Sequence, residues 1–104
     1  MNFMMYTRGS RSDYDDWACP GWSFDELLPL FRRLETNVGV EGDTHGKSGP
    51  VGVSFGGYQD LKVMRDGISA AKELGWPVVP DGNDFSTGCG FAVSWHLAGR
   101  GEAG

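Results

Sequence analysis

Residues 1–16, MNFMMYTRGSRSDYDD, change in character halfway along and decide how the rest of the chain is interpreted. The first six residues are apolar or aromatic apart from the carboxamide of Asn2, and Arg8-Gly9 interrupts this run. A helix start follows at Ser12, whose hydroxyl can accept a hydrogen bond from an unpaired amide of the first turn. The pattern predicts that residues 1–6 form a hairpin-like apolar segment, the arm, which suits the wrapping of a large flat ligand.

The length and composition of the chain exclude several classes of protein. A chain of 104 residues forms one domain at most. Its formal charge of −5 and its 17 glycines describe an acidic, loop-rich chain, whereas proteins that bind nucleic acid need clustered Lys and Arg. No apolar run approaches the roughly 18 residues of a membrane span, and no secretory signal follows Met1. We therefore expect an intracellular protein whose partners are neither nucleic acid nor membrane.

The two cysteines, Cys19 and Cys89, lie far apart in the sequence. They form neither a CxxC motif nor a Cys–His pair with the spacing of metal ligands. Two free thiols are therefore expected rather than a disulfide or a metal site.

Three helices are predicted from capping residues and apolar spacing. The first covers residues 13–18 behind Ser12, and the second begins at Phe24 because Ser23 and Glu26 form a capping box. The apolar residues of the second helix recur at helical spacing and should face a core: Leu27, Leu30, Phe31 and Leu34. Its charged residues should face solvent: Arg32, Arg33 and Glu35.

The sequence of the second half of the chain predicts a loop, two strands and the third helix. Residues 36–49 should form a mobile loop, because Gly, Asp, Thr, Lys and Ser dominate there. A half-buried strand follows, in which apolar residues alternate: Val51, Val53 and Phe55. Asp60 can cap the third helix, which Gly75 and Pro77 close. The apolar stripe of that helix is Leu61, Met64, Ile68 and Ala71. A last strand should finish near His96, after a further alternation: Phe91, Val93 and Trp95.

Five blocks of this sequence, in the same order, resemble the glucose-methanol-choline (GMC) flavin oxidoreductases. The first block reads Asn-x-Met-x-Tyr-x-Arg-Gly from Asn2, followed by Asp-Tyr-Asp-x-Trp-Ala from Asp13. The other blocks are residues 21–29, 33–37, 45–51 and 73–77. Residues 2–8 and 53–56 are particularly similar to the alcohol (methanol) oxidase branch, whereas 33–37 and 45–51 look more like choline oxidase. The resemblance covers roughly residues 1–85 and leaves the branch open.

The resemblance implies an α+β fold and a flavin cofactor. The fold would be a partial FAD-domain segment with about three helices, short strands and long loops, in which residues 96–104 form a frayed tail. The cofactor would be FAD, contacted by the side chain of Asn2 and by the backbone of Phe3, Met4 and Met5.

The full-length protein implied by the resemblance would oxidise a small primary alcohol to an aldehyde. A base would remove the hydroxyl proton while the carbon gives hydride to the flavin N5. Met1 falls inside the family signature, so residues 1–104 would be a partial N-terminal, FAD-binding domain and inactive alone. The compartment would be the cytoplasm, or the peroxisome if the protein is alcohol oxidase-like.

Two features that suggest chemistry are not assigned to it. His45 and His96 could each take the proton of an alcohol, since histidine titrates near neutral pH. The resemblance instead implies a catalytic His in a C-terminal part that this chain does not contain, and it assigns His45 to a turn. Residues 99–104 spell G-x-G-x-x-G, but dinucleotide binding needs a following helix and an acidic residue about 20 positions on. No catalytic residue is therefore predicted in this chain.

A second hypothesis is a non-catalytic paralogue that acts as a protein-interaction module. Its binding surface would combine Met4-Met5 of the arm with three aromatic residues: Trp17, Trp22 and Phe24. In-frame sequence encoding Gly-Gly-Ser-Ser upstream of Met1 would favour the enzyme, whereas a genuine start codon with a promoter would favour the module. In either case, apolar faces without partners would favour self-association.

Overall fold

The computed structural model describes residues 3–54, 60–85, 90–93 and 95–98. The elements follow in the order β1 (Met5–Tyr6), α1 (Arg11–Asp15), α2 (Phe24–Leu34), β2 (Glu35–Asn37), β3 (Val51–Ser54), α3 (Lys62–Glu73) and β4 (Trp95–Ala98). Three helices, short strands and long connecting segments confirm the predicted α+β class.

The four strands form one mixed sheet in the order β1-β4-β3-β2. Strands β2 and β3 are parallel, with Glu35 opposite Val51, whereas β4 is antiparallel to both β3 and β1. Within the described sheet, β1 and β2 are therefore the two edge strands. The arm enters the fold through β1, where Met5 lies opposite His96.

Helix α1 begins two residues earlier than the sequence predicted. Ser10 is its N-cap: the Ser10 hydroxyl accepts a hydrogen bond from the Asp13 amide at 3.3 Å, and the Asp13 carboxylate accepts one from the Ser10 amide at 2.6 Å. The assignment of Ser12 as the cap was wrong, because Asp13 completes a capping box with the residue three positions before it.

Helix α2 begins at Phe24 behind the capping box of Ser23 and Glu26, as predicted. Phe24 and Leu27 are buried, but Leu30 and Leu34 are about half exposed. The expectation that the whole apolar stripe faces a core was therefore wrong for these two leucines.

The most consequential correction concerns Glu35. The backbone leaves the helix at this residue, with φ −106° and ψ 152°, and Glu35 starts strand β2 with no exposed surface. The helical spacing that predicted a solvent-facing side chain ends one residue earlier, at Leu34. Part of the predicted mobile loop is likewise a strand, because Thr36 and Asn37 pair with β3.

Helix α3 ends as predicted and begins differently. Gly75 adopts a left-handed conformation with φ +74°, which ends the helix. The N-cap is Leu61, which makes no side-chain capping bond, so Asp60 does not cap the helix as predicted. Ala71 is buried and Ile68 half-buried. The apolar stripe of α3 is therefore only partly buried within the described part of the chain.

The last predicted strand is displaced along the sequence. Phe91 forms a single parallel bridge with Val78, and the strand itself runs from Trp95 to Ala98. Residues 96–98, expected in a frayed tail, are thus in β4. Phe55, Cys89 and the G-x-G-x-x-G segment lie outside the described residues, and Cys19 is a free, exposed thiol. No helix among the described residues has the length and apolar character needed to cross a bilayer.

Among the described residues, six polar and five apolar residues are buried. The buried apolar residues are Phe24, Leu27, Val53, Ala71 and Val79. The buried polar residues are Arg8, Glu35, Asn37, His45, Asp81 and Asn83. Burial of charged groups is costly unless they are paired and hydrogen-bonded, so this polar set identifies the part of the fold that needs a specific explanation.

Candidate functional site

The arm presents apolar side chains to solvent on a strained backbone. Phe3, Met4 and Met5 are 73%, 58% and 42% exposed. Phe3 and Met4 both have positive φ angles, +54° and +59°, a conformation that costs roughly 1 to 3 kcal/mol at a non-glycine residue and is concentrated at functional sites. Two adjacent strained, exposed apolar residues indicate a contact surface.

Among the described residues, a short stretch of strand pairing with β4 contacts one edge of the arm. Met5 and Tyr6 pair with β4, and the Met4 carbonyl accepts a hydrogen bond from the Leu97 amide at 2.8 Å. Beyond Tyr6 the chain leaves the sheet and turns inward at Arg8, whose side chain has no exposed surface. The contacts of Arg8 therefore anchor the chain directly after the arm.

Arg8 joins a buried chain of charged side chains. Its Nη2 donates to Glu35 Oε1 at 2.7 Å, and the same oxygen lies 2.6 Å from His45 Nδ1. The other ring nitrogen, His45 Nε2, lies 2.5 Å from Asp81 Oδ2. Two cations and two anions thus alternate through the interior when His45 is protonated.

Asn83 closes this chain into a ring. Its backbone amide donates to Asp81 Oδ1 at 2.8 Å, and its side-chain oxygen accepts from the Arg8 amide at 2.9 Å. Its side-chain nitrogen donates to the Tyr6 carbonyl at 3.0 Å. We call the five residues of this closed circuit the buried ring: Arg8, Glu35, His45, Asp81 and Asn83.

Glycine at position 46 allows His45 to reach Glu35. A Cβ on Gly46 would lie 1.8 Å from the Arg32 carbonyl oxygen and 2.6 Å from that of Glu35, far inside contact distance. The Gly46 amide instead donates to Glu35 Oε1 at 2.9 Å, and the Gly46 carbonyl accepts from the Asn37 amide at 2.8 Å. The loop after β2 therefore packs directly against the end of α2.

The electrostatics of the buried ring favour a protonated histidine. Burial lowers the pKa of His45, but the hydrogen bonds and charges of Asp81 and Glu35 outweigh burial and raise the pKa to about 8. For Glu35, burial raises the pKa, whereas His45 and Arg8 outweigh that effect and lower it. Burial, followed by the charge of Glu35, raises the pKa of Tyr6 in the arm.

A cleft separates the arm from the loop that carries Asn83. Its volume is about 180 Å³. The lining residues are Tyr6, Thr7, Gly82, Asn83, Gly90, Ala92 and Val93. The cleft thus contains Tyr6 of the arm and Asn83 of the buried ring, which makes the three parts of a single candidate site.

The structure brings together only some of the residues that the sequence singled out. Phe3, Met4 and Met5 lie side by side in the arm, whereas Asn2 is outside the described residues. His45 lies among bends, as the predicted turn requires, but both of its ring nitrogens face carboxylates in the interior. His96 is in β4. Within the described ranges, no group of His, Cys, Asp and Glu side chains is arranged to hold a metal ion.

Sequence reasoning missed every member of the buried ring as a site residue. The partners are distant along the chain: 27 residues separate Arg8 from Glu35, and 75 separate it from Asn83. Local periodicity carries no signal at such separations. The one local hint was that Glu35 is followed by Thr36-Asn37, which are better suited to the end of a helix than to its interior.

Comparisons with known proteins place the chain among flavin enzymes. The family model described as GMC oxidoreductase matches residues 1–101. An alcohol oxidase of Pichia angusta is 50% identical over 97 residues, which are 91% of this chain and 14% of the relative. An oxygen-dependent choline dehydrogenase of Photobacterium profundum is 37% identical over 89 residues, 82% of this chain and 16% of the relative.

A solved structure shows the same fold. An FAD-dependent oxidoreductase from Chaetomium thermophilum matches with a TM-score of 0.68 and 34% identity, over 77% of this chain and 16% of that one. The chain therefore spans about one sixth or less of the length of these proteins.

Proposed function

Since the chain belongs to the GMC oxidoreductase family, we propose that it is the part of an FAD-dependent oxidoreductase that carries a flavin-contacting arm. FAD is the cofactor of this family's N-terminal domain, which the chain matches from residue 1 to residue 101. The donor is proposed to be a CH–OH group, because the relatives include an alcohol oxidase and a choline dehydrogenase.

The observation that carries this proposal is the arm. A flavin ring is flat and apolar on its faces, and ligand sites of this kind combine apolar walls with a few placed polar groups. The exposed side chains of Phe3, Met4 and Met5 would supply such a wall, and the left-handed backbone at Phe3 and Met4 is the kind of strain found at ligand contacts. We keep Asn2 as a predicted polar contact at the start of the arm.

The chemistry divides between the cofactor and the protein. Bound FAD accepts the hydride equivalent that the alcohol carbon loses. The residues of this chain orient that reaction: the arm covers flavin surface and excludes water, and the buried ring supports the arm from behind. We place the base that takes the hydroxyl proton in another part of the full-length protein, as the resemblance to the family implies. His45 is not proposed as that base, because both of its ring nitrogens face carboxylates.

The substrate and the compartment are finer parts of the proposal. Similarity to alcohol oxidase at 50% identity favours a small primary alcohol, oxidised to an aldehyde. Choline is the second candidate, from the relative at 37% identity. We propose an intracellular location, in the cytoplasm or, for an alcohol oxidase-like protein, in the peroxisome.

The chain is proposed to be one piece of a longer FAD-binding domain, since it covers 14% of the alcohol oxidase relative. Sequencing the full transcript tests this. In-frame codons for Gly-Gly-Ser-Ser upstream of Met1 would support it, and a start codon at Met1 with its own promoter would support a truncated paralogue instead.

An interaction module remains the second candidate because of one exposed aromatic pair, whereas Phe24, which was predicted on the same surface, is buried. Trp17 and Trp22 are 57% and 51% exposed, with ring centroids 5.9 Å apart. Tryptophan is enriched among the residues that contribute most binding energy at protein interfaces. The start codon at Met1 described above is the result that would favour this candidate over the enzyme.

A matched pair of variants in the full-length flavoprotein tests the arm. Phe3→Ser with Met4→Ser removes apolar surface from the arm, whereas Val63→Ser with Leu74→Ser removes similarly exposed apolar surface at α3. Flavin retention after dialysis should fall roughly tenfold or more in the arm variant, since one large buried apolar side chain contributes about 1.5 to 3 kcal/mol. The α3 variant should retain its flavin. Equal retention and identical flavin absorbance spectra in the two variants would refute the proposed contact.

A further inference from the structure

We infer that Asn83 is a positioning residue for the flavin-contacting arm, held in place by the other members of the buried ring. This inference rests on the proposed function, because it gives Asn83 a role through the arm and not through direct contact with FAD. Asn83 is 2% exposed and lies 77 residues from Tyr6 in the sequence.

The first observation is that one side chain binds the main chain on both sides of Thr7. The Asn83 side-chain nitrogen donates to the Tyr6 carbonyl, and its oxygen accepts from the Arg8 amide. A carboxamide has the same donor and acceptor as a peptide group. Pairing of β1 with β4 ends at Tyr6. At this point the Asn83 carboxamide makes the hydrogen bonds that a further residue of the neighbouring strand would otherwise make.

The second observation is that strand pairing alone is too short to hold the arm. Strand β1 has two residues and lies at the edge of the sheet, where its one neighbour among the described strands is β4. The strained backbone at Phe3 and Met4 adds a cost that the surroundings must offset. The contacts at Tyr6 and Arg8 supply that restraint from the interior of the protein.

The third observation is that Asn83 is itself oriented by buried charges. Its backbone amide donates to Asp81 Oδ1, while Asp81 Oδ2 faces His45 Nε2. His45 in turn faces Glu35, which accepts from the Arg8 guanidinium. Arg8 is therefore held at its backbone through Asn83 and at its side chain through Glu35, so the circuit fixes the segment just beyond the arm at two points.

The test compares two isosteric substitutions of equally buried asparagines in the full-length flavoprotein. Asn83→Asp replaces the nitrogen that donates to the Tyr6 carbonyl with an oxygen that, in the ionised carboxylate, can only accept a hydrogen bond. Asn37→Asp is the control, because Asn37 is also 2% exposed and its side chain approaches His45 Nδ1 at 3.2 Å without touching the arm. A carboxylate at position 37 would favour the protonated form of His45, which is the form in which cations and anions alternate through the buried ring.

The readouts are the flavin absorbance spectrum, flavin retention after dialysis, and the melting temperature. We expect Asn83→Asp to lower retention at least fivefold and to change the flavin spectrum in the same direction as Phe3→Ser with Met4→Ser. We expect Asn37→Asp to lower the melting temperature and to leave the flavin absorbance spectrum the same as in the wild type. A wild-type spectrum and retention in Asn83→Asp, or the same spectral change in Asn37→Asp, would overturn the inference.

The outcomes separate this inference from the proposed function. If the arm variant leaves the flavin unaffected, the proposed contact between arm and flavin fails. If the arm variant changes the flavin and Asn83→Asp does not, only the positioning role fails.

A measurement on the unmodified protein covers the case in which Asn83→Asp does not fold. The Arg8 amide, bonded to the Asn83 carboxamide, should exchange with deuterium at least a hundredfold more slowly than in an unstructured peptide, both with FAD and after its removal. Exchange of that amide at the unstructured rate in the flavin-free protein would show that Asn83 does not hold the arm, and would overturn the inference.

Discussion

The charge on His45 should make the stability of this fold depend on pH in a specific window. The pKa of His45 in the folded protein is about 8, against 6.5 for an unperturbed histidine. Folding therefore favours the protonated form, and this contribution is complete below about pH 6.5 and is lost as the pH rises through about 8. The difference corresponds to about 2 kcal/mol.

At acid pH the stability depends on Glu35, and its contribution changes with pH in the opposite direction to that of His45. The pKa of Glu35 is lowered in the folded protein from a usual value of 4.5. Its contribution is therefore complete above about pH 4.5 and is lost as the pH falls through the lowered value. The contributions of Glu35 and His45 should both be complete between about pH 4.5 and pH 6.5.

Urea unfolding of the chain, followed by tryptophan fluorescence at low protein concentration, measures this dependence. Between pH 6 and pH 9 the free energy of unfolding should fall by about 2 kcal/mol in the wild type. His45→Gln should be less stable at pH 6, because Glu35 and Asp81 lose their shared cation, and it should lack this pH dependence. The same fall in both proteins would refute the assignment to His45.

Three further predictions concern the loop after β2, the start of the arm and the exposed apolar residues of α3. Gly46→Ala should lower the free energy of unfolding by about 3 kcal/mol or more, because its Cβ would lie 1.8 Å from a backbone oxygen. The control Gly67→Ala, in α3 with open space around its Cβ, should raise that free energy by about 0.5 to 1 kcal/mol; urea unfolding would contradict us if the two changes were equal. Asn2→Ala in the full-length enzyme should weaken flavin retention by about 1 to 3 kcal/mol, and unchanged flavin occupancy would remove Asn2 from the site. The chain should self-associate through exposed apolar residues such as Val63 and Leu74, so light scattering that reports a stable monomer would contradict this.

Local sequence signals predicted the elements that depend on local chemistry. The capping box of Ser23 and Glu26 placed the start of α2, and Gly75 placed the end of α3. The N-cap of α1 was assigned to the wrong serine because Ser10 and Ser12 both precede acidic residues, and only the geometry distinguishes them.

The buried ring could not be predicted in the same way. Glu35 comes at the end of a run of apolar and polar residues with helical spacing. Nothing in that spacing shows that the backbone becomes extended at Glu35. Its burial depends on Arg8 and His45, which reach it from 27 residues before and 10 residues after. Single-sequence periodicity describes one element at a time, whereas the buried ring is made by contacts between four separate segments of the chain. The resemblance to a flavin enzyme family identified the arm but gave no indication of what holds it.

The central claim, that the arm lies against a flavin, is tested most directly by an experimental structure of the full-length protein with FAD bound. We predict that side-chain or backbone atoms of Phe3, Met4 and Met5 lie within about 4 Å of the isoalloxazine ring, the distance of van der Waals contact. In the same structure the Asn83 carboxamide should still bind the Tyr6 carbonyl and the Arg8 amide. A flavin bound elsewhere, with the arm exposed to solvent or packed only against protein, would contradict the account.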